Sequence, residues 1–316
     1  MDHQQAAALL ASQNDILILT HRRPDGDTIG CAAGLCLALR QLGKTAYVFP
    51  NEDAHSLFTP YLEGCVAPDG FVPDFVVSVD TASLSLLTDR AMVYADRVDL
   101  CIDHHPSQEY YGMHTCLDTG CAACGELLYS ILSALGPVTP EIALPLYVAV
   151  STDTGCFAYN NTTPRSHRVA AALMECGIDY RWVNKRHFRT KSYRRLQLEG
   201  MLTSSLARYD GGITAIASVT LDMTRALGIT EEDVEDISSF VGQVEGVQNA
   251  VTVRELKPGE CKISLRTSGG LNASHVCALL DGGGHMGAAG CTVYGTAEEA
   301  AAAILSAIRQ VAAGGA

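Results

Sequence analysis

Histidines and aspartates gather in four short clusters in the first half of the chain, each at the end of an apolar run. His21-Arg22-Arg23-Pro24-Asp25-Gly26-Asp27 comes first, then Asp80, then Asp103-His104-His105, then Asp153. Carboxylates and imidazoles are the ligands of a site that holds two divalent ions, clamps a phosphoryl group and activates water. A contiguous Asp-His-His straight after Leu100-Cys101-Ile102 is costly to place beside a core unless it has a use. One imidazole can ligate a metal while its neighbours orient it or meet substrate. Asp80 and Asp153 taken singly are no more than helix caps or turn residues, and they gain meaning only within the set. Pro24 and Gly26 imply a tight turn that holds Asp25 and Asp27 close with no helix between them. In the second half, Gly282-Gly283-Gly284-His285 reads as a glycine-rich loop. Its backbone N–H groups can approach an anion, and His285 and the nearby Arg266 can add phosphate contacts.

Side chains so far apart in the chain must be brought together by the fold. Apolar runs at 16–20, 47–49, 75–79 and 100–102 predict short buried strands, and the patterns at 30–42, 126–135 and 140–150 predict helices. Alternation of this kind signals an α/β domain with a largely parallel sheet flanked by helices. Asp25 and Asp27 then follow the first strand, Asp80 the third and Asp103 the fourth. Ligands of open α/β sheets bind beyond the carboxyl ends of the strands, so these acids converge if the strands lie parallel. Asp153 joins them from the end of a helix. After residue 208 the pattern restarts, with strands expected at 212–219, 250–255, 261–266 and 291–293 and helices at 231–241, 273–280 and 297–311. The expected organisation is a catalytic domain over 1–185, a linker helix over 186–207 and a smaller α/β domain over 208–316.

Between them, residues 181–195 hold seven of the chain's 22 basic residues: Arg181, Lys185, Arg186, Arg189, Lys191, Arg194 and Arg195. Such a run is either a solvated helix face or a positive wall that steers an anionic substrate. The 316-residue chain is 47% hydrophobic and 18% charged, a globular composition with room for two domains. No run approaches the roughly 18 apolar residues of a membrane span, and Met1-Asp2-His3-Gln4-Gln5 lacks the basic start of a secretory signal. The expectation is a cytoplasmic protein with no membrane partner. Twelve scattered cysteines, with Cys121-Ala122-Ala123-Cys124 the only C-x-x-C, read as structural thiols in a reducing compartment. A net charge of −13 argues against coating long DNA or RNA, but not against a small anionic substrate gripped by metal ions and a few local cations.

Taken in order, these motifs resemble those of the DHH phosphoesterase superfamily, with a DHH-associated C-terminal domain, and most of all its nanoRNase/pAp-phosphatase group. The resemblance covers nearly the whole chain. It implies that His21, Asp25 and Asp80 hold one metal ion, that Asp27, Asp80, His104 and Asp153 hold the other, and that Asp80 bridges the pair. It further implies that Asp103, His104 and His105 form the catalytic motif, with His105 near the substrate phosphate, and that Arg266, Gly283, Gly284 and His285 bind substrate. Mn²⁺ is the implied ion, with Mg²⁺ or Zn²⁺ chemically possible. The implied activity is hydrolysis of short oligoribonucleotides to mononucleotides and removal of the 3′-phosphate of pAp, by a homodimer. Two rival readings are a phosphodiesterase for cyclic or linear dinucleotides and a non-catalytic nucleotide-binding module. One departure from relatives is Asp281, where a further glycine is common.

Overall fold

A computed structural model describes residues 1–234 and 237–314 of the chain. It divides into two compact units, Met1–Thr190 and Lys191–Ala316.

The first unit is built on five parallel strands: β1 (Ile16–Leu19), β2 (Ala46–Val48), β3 (Phe75–Val79), β4 (Leu100–Asp103) and β5 (His114–Leu117), in the order β2-β1-β3-β4-β5. Every residue of β1, β3 and β4 is buried, the continuous burial expected when a parallel sheet is covered on both faces. Ile16 and Ile18 face the larger core, while Leu17 and Leu19 point to the other side against Val76, Leu87 and Val98. Around the sheet pack α1 (His3–Ser12), α2 (Gly26–Gln41), α3 (Cys124–Leu135), α4 (Pro140–Asp153), α5 (Pro164–Glu175) and α6 (Tyr180–Phe188).

The first acid cluster differs from the sequence expectation. Asp25 is the N-cap of α2, accepting a hydrogen bond from the Thr28 N–H at 3.0 Å, and Asp27 sits in the first turn. A helix start, not a free turn, therefore spaces the two carboxylates, and the helix begins at Gly26 rather than residue 30. An Asp N-cap satisfies an orphan backbone donor and offsets the poor helix propensity of the glycines that follow. Those glycines have a packing role. Gly26, Gly30 and Gly34 form a stripe against α4, where a Cβ on Gly30 would lie 2.2 Å from the Pro145 carbonyl oxygen. Gly26 meets Thr152 and Gly34 meets Leu146, so the two helices run antiparallel. The start of α2 is thus locked beside the end of α4, which carries Asp153.

The second unit is a mixed sheet of β6 (Ala207–Tyr209), β7 (Thr214–Val219), β8 (Asn249–Lys257), β9 (Glu260–Thr267), β10 (Gly283–His285) and β11 (Ala288–Tyr294), ordered β10-β11-β9-β8-β7-β6. Among the described residues of this unit, only β7 and β8 pair in parallel. Its helices are α7 (Tyr193–Ser205), α8 (Leu221–Leu227), α9 (Glu231–Val234), α10 (Ile237–Val241), α11 (Ala273–Ala278) and α12 (Ala297–Gly314). Within the stretch 231–241, expected as one helix, residues 235 and 236 lie outside the described residues. Leu198 and Leu202 of α7 join Ala215, Ala217 and Val219 on one face of the sheet, while α11 and α12 cover Ile216 and Val251 on the other.

The glycine run is a second correction: residues 283–285 are not a loop but strand β10, paired with β11 in a hairpin closed by Met286 and Gly287. Gly284 has φ +147°, and a Cβ there would lie 2.6 Å from the Ala288 carbonyl oxygen, so the strand closes only without a side chain. Asp281 sits just before it with φ +55°, a left-handed conformation that Asp tolerates better than most residues.

Candidate metal centre

The parallel strands deliver their acids to one end of the first unit's sheet. Asp80 directly follows β3 and has φ +51°, a strained backbone for a residue with a side chain. Its N–H is tied to the Ile102 carbonyl at 2.9 Å, which holds the kink beside β4. Asp103 is the last residue of β4, and Asp153 is the last of α4.

Three overlapping groups result, each with ligand atoms within 4.8 Å of one another: His21, Asp25 and Asp80; Asp27, His104 and Asp153; and Asp80, His104 and His105. His104 Nε2 lies 3.5 Å from Asp80 Oδ1 and 3.8 Å from both Asp27 Oδ2 and Asp153 Oδ2. Its Nδ1 faces the Cys121 carbonyl oxygen at 3.2 Å. A carbonyl only accepts, so that bond fixes Nδ1 as the protonated nitrogen and turns Nε2 towards the acids. His21 is set the same way, with Nδ1 on the Arg22 carbonyl at 2.7 Å.

His105 behaves differently. Its Nδ1 is 2.8 Å from Asp103 Oδ1, closer than the 3.6 Å to Asp80 Oδ1, so Asp103 orients it. Asp103 is fully buried and also accepts from the His104 N–H at 2.7 Å and the Gln108 amide at 2.7 Å. Burial raises its carboxyl pKa, but these bonds, that from His105 foremost, bring it below the usual value. His105 in turn is raised by Asp103.

Several supporting residues escaped sequence reasoning. Thr28 is buried, and its hydroxyl faces His21 Nε2, Asp25 Oδ1 at 3.2 Å and Asp80 Oδ2 at 2.6 Å. Asp27 is held by the backbone N–H groups of Cys124 at 2.6 Å and Gly125 at 2.9 Å, at the start of α3. Asn51 donates to the His21 carbonyl at 2.9 Å, and Arg22 donates to the Leu87 carbonyl at 2.8 Å. The spacing of Gly26, Gly30 and Gly34 was a readable sign of close helix packing. Nothing in a single Thr, Gln or Asn announces its partner.

The residues fit a pair of divalent ions. One Thr28 hydroxyl hydrogen confronts three acceptors, and Asp80 Oδ1 is buried with no hydrogen-bond partner. Burial, then the charges of Asp80 and Asp153, push the Asp27 carboxyl well above its usual pKa. Burial also raises Asp153 to about 6, with Asp80 and Asp25 adding to it against the opposing pull of His104 and His105. Burial would lower His104, yet the negative charge of Asp80 and Asp27 beside it lifts it to about 10. Such a surplus of acceptors and negative charge is balanced by cations. The groups contain oxygen and imidazole donors but no thiolate, a set that suits divalent metal ions. All twelve cysteines are free thiols, ten of them buried.

Comparison with known proteins agrees with this geometry. Residues 15–150 match the DHH family N-terminal domain, and residues 214–314 match the DHHA1 domain. Over 310 residues the chain is 34% identical to the bifunctional oligoribonuclease and PAP phosphatase NrnA of Thermus thermophilus, covering 96% of this chain and 92% of that one. The chain belongs to the DHH family. It is a metal-dependent phosphoester hydrolase. A second DHH relative, the bifunctional oligoribonuclease and PAP phosphatase NrnA of Bacillus subtilis, is 22% identical over 88% of this chain and 89% of its own. The crystal structure of an exopolyphosphatase-related protein from Bacteroides fragilis superimposes with a TM-score of 0.86 at 26% identity, over 98% of this chain and 96% of that one. Among the described residues, no helix is long and apolar enough to cross a membrane.

Within the DHHA1 unit, the structure aligns two of the expected substrate residues. Arg266 of β9 pairs with Ala288 of β11, and Ala288 pairs with His285 of β10. Residues opposite one another across strands project to the same face, so Arg266 and His285 flank a small alanine, about 10 Å apart at two strand spacings. Both are exposed, as are Gly283 and Gly284 beside them.

Proposed function

We propose that this enzyme hydrolyses short oligoribonucleotides to mononucleotides and removes the 3′-phosphate of pAp. The observation that carries this reading is the extent of the likeness to named oligoribonuclease and PAP phosphatases, which runs through both units instead of stopping at the metal domain. Residues 1–185 act as the catalytic domain, 186–207 as the connection and 208–316 as the substrate domain.

His21, Asp25 and Asp80 hold one ion, and Asp27, Asp80, His104 and Asp153 hold the other, with Mn²⁺ the preferred metal and Mg²⁺ permitted by the donor set. When bound, such a pair polarises phosphoryl oxygens and lowers the pKa of water towards about 7. Asp103 accepts the Nδ1–H of His105 and stabilises its charge, so that Nε2 meets a phosphoryl oxygen or the leaving oxygen. Gln108 and two backbone N–H groups keep Asp103 in place for that task. In the second unit, Arg266 and His285 grip a substrate phosphate, and Gly283 and Gly284 leave the backbone open to it. The small nucleotide substrate explains how a chain of net charge −13 handles RNA: a few local cations suffice. The family resemblance implies a homodimer, and the free thiols fit the reducing cytoplasm.

A single substrate panel in Mn²⁺ tests the assignment: pAp, pApA, cyclic di-AMP, pyrophosphate and RNAs of graded length. Mononucleotides from short RNA and AMP from pAp are expected. Turnover of cyclic di-AMP or pyrophosphate with RNA and pAp left intact would reject it.

A further inference from the structure

The basic residues that begin at Arg181 have no role in the chemistry above. Those of the first unit lie on and just after α6, where Trp182, Lys185, Arg186 and Arg189 recur at i, i+3, i+4 and i+7 and so share one face. The opposite face is anchored. Val183 is fully buried, and His187 stacks on Phe58 with ring centroids 5.3 Å apart and bonds the Tyr61 hydroxyl at 2.7 Å. The Tyr147 hydroxyl of α4 donates to Asn184 at 3.3 Å, tying α6 to the helix that ends in Asp153.

The outer face, where Arg186 also donates to the Leu57 carbonyl and Trp182 meets the Tyr61 ring edge-on, has the make-up of a single-strand platform. Trp182, the only tryptophan of the chain, is 44% exposed, with the Arg186 guanidinium 5.3 Å from its ring centroid. Lys185 and Arg189 are exposed, and among the described residues neither forms an ion pair. Aromatic rings interleaved with cations bind single strands by stacking and phosphate neutralisation, without sequence preference. In a protein of net charge −13, this local excess of positive charge selects a polyanion.

We propose that this face of α6 is the track for the part of an RNA substrate beyond the reacting nucleotide. Arg189 and Lys185 hold its phosphates and Trp182 stacks a base. The proposal rests on the RNA-hydrolysing reading above and deepens it. From Trp182 to Arg189 is about 10 Å at 1.5 Å per residue, a length that serves a short strand and not a long one. The smaller substrate pAp ends before it.

The test compares KM for an RNA tetranucleotide and for pAp in the Mn²⁺-loaded wild type, in a Lys185→Glu/Arg189→Glu double variant, and in Trp182→Ala beside Trp182→Phe. Circular dichroism verifies that each is folded. The double variant is expected to raise the ratio of tetranucleotide KM to pAp KM about tenfold and to flatten the salt dependence of tetranucleotide binding by roughly 0.7 log units per lost phosphate contact. Trp182→Ala is expected to raise the same ratio several-fold and Trp182→Phe to restore it, since a phenyl ring still stacks. Binding of a phosphorothioate tetranucleotide is expected to quench the Trp182 emission of the wild type. An unchanged ratio in an enzyme that does cleave RNA, or unaltered emission at saturation, overturns the track alone. A wild type that cleaves no RNA overturns the proposed function, and the track with it.

Discussion

Asp80 belongs to two of the three acid–histidine groups, and its environment shows the cost. It accepts a left-handed backbone, of order 1–3 kcal/mol, to place one oxygen on Thr28 and the other among imidazoles with no hydrogen-bond donor. Replacement by alanine is expected to lower turnover by more than about 100-fold, since even the outer partners of metal ligands cost 10–100-fold; steady-state kinetics in saturating Mn²⁺ measures it. Asp153 carries a pH signature. A carboxyl raised to about 6 in the folded protein but near 4 when unfolded favours folding only while protonated. Its contribution is fully present below about pH 4 and is lost as pH rises through 6. In chelator, thermal melts of Asp153→Asn should therefore gain on the wild type across that window, and added Mn²⁺ should reverse the order at neutral pH. A constant difference across pH 4–7 would contradict this. Sequence alone led to the His and Asp side chains because their chemistry is conspicuous. Thr28, Gln108 and Asn51 stayed hidden because a neutral hydroxyl or amide gains its role only from what the fold sets beside it.

Elements of strong apolar character were readable for a physical reason. Strands of a parallel sheet covered on both sides are nearly all apolar, and β1, β3 and β4 stand out as such. β5 was missed because only Cys116 of its four residues is buried. The misreadings were local contests. Pro24 and Gly26 pointed to a turn until the Asp25 cap started a helix, and the glycines at 282–284 pointed to a loop until pairing with β11 used their backbone. The α2–α4 contact makes a further prediction. A Gly30→Val side chain would strike Pro145 and Ala149, so overpacking should cost about 1–3 kcal/mol, roughly 3–10 °C in Tm. It should also weaken metal affinity by separating Asp25 and Asp27 from Asp153; a destabilised variant with unchanged Mn²⁺ affinity would show that the packing does not set the site. Where α6 meets Phe58 and Tyr61, burial, then the Arg186 charge, lowers His187 to about 4. It is neutral in both states above about pH 6.5, so its support for folding is intact there and is lost as pH falls towards 4. His187→Gln should therefore flatten the acid limb of the stability curve, as followed by Tm from pH 7 to 4.

At the scale of the whole chain, the two units have separate cores, and the proposed function divides chemistry and grip between them. This division predicts a division of kinetic effects. Arg266→Ala in the second unit should raise KM with a smaller change in kcat, whereas changes among the Asp and His residues of the first should reduce kcat. The two-part organisation was visible in the sequence as a restart of the strand–helix pattern, and the acid–histidine grouping as an order of motifs. The register that aligns Arg266 with His285 was not visible, because pairing partners are set by the sheet and not by spacing along the chain. All of this depends on two divalent ions shared by Asp80. Equilibrium dialysis of metal-stripped protein against Mn²⁺, wild type beside Asp80→Asn, addresses that directly. Two ions bound per wild-type chain, with both weakened in the variant, is the expected result; full turnover in chelator with no ion bound, or two ions held equally well without the Asp80 carboxylate, would contradict it.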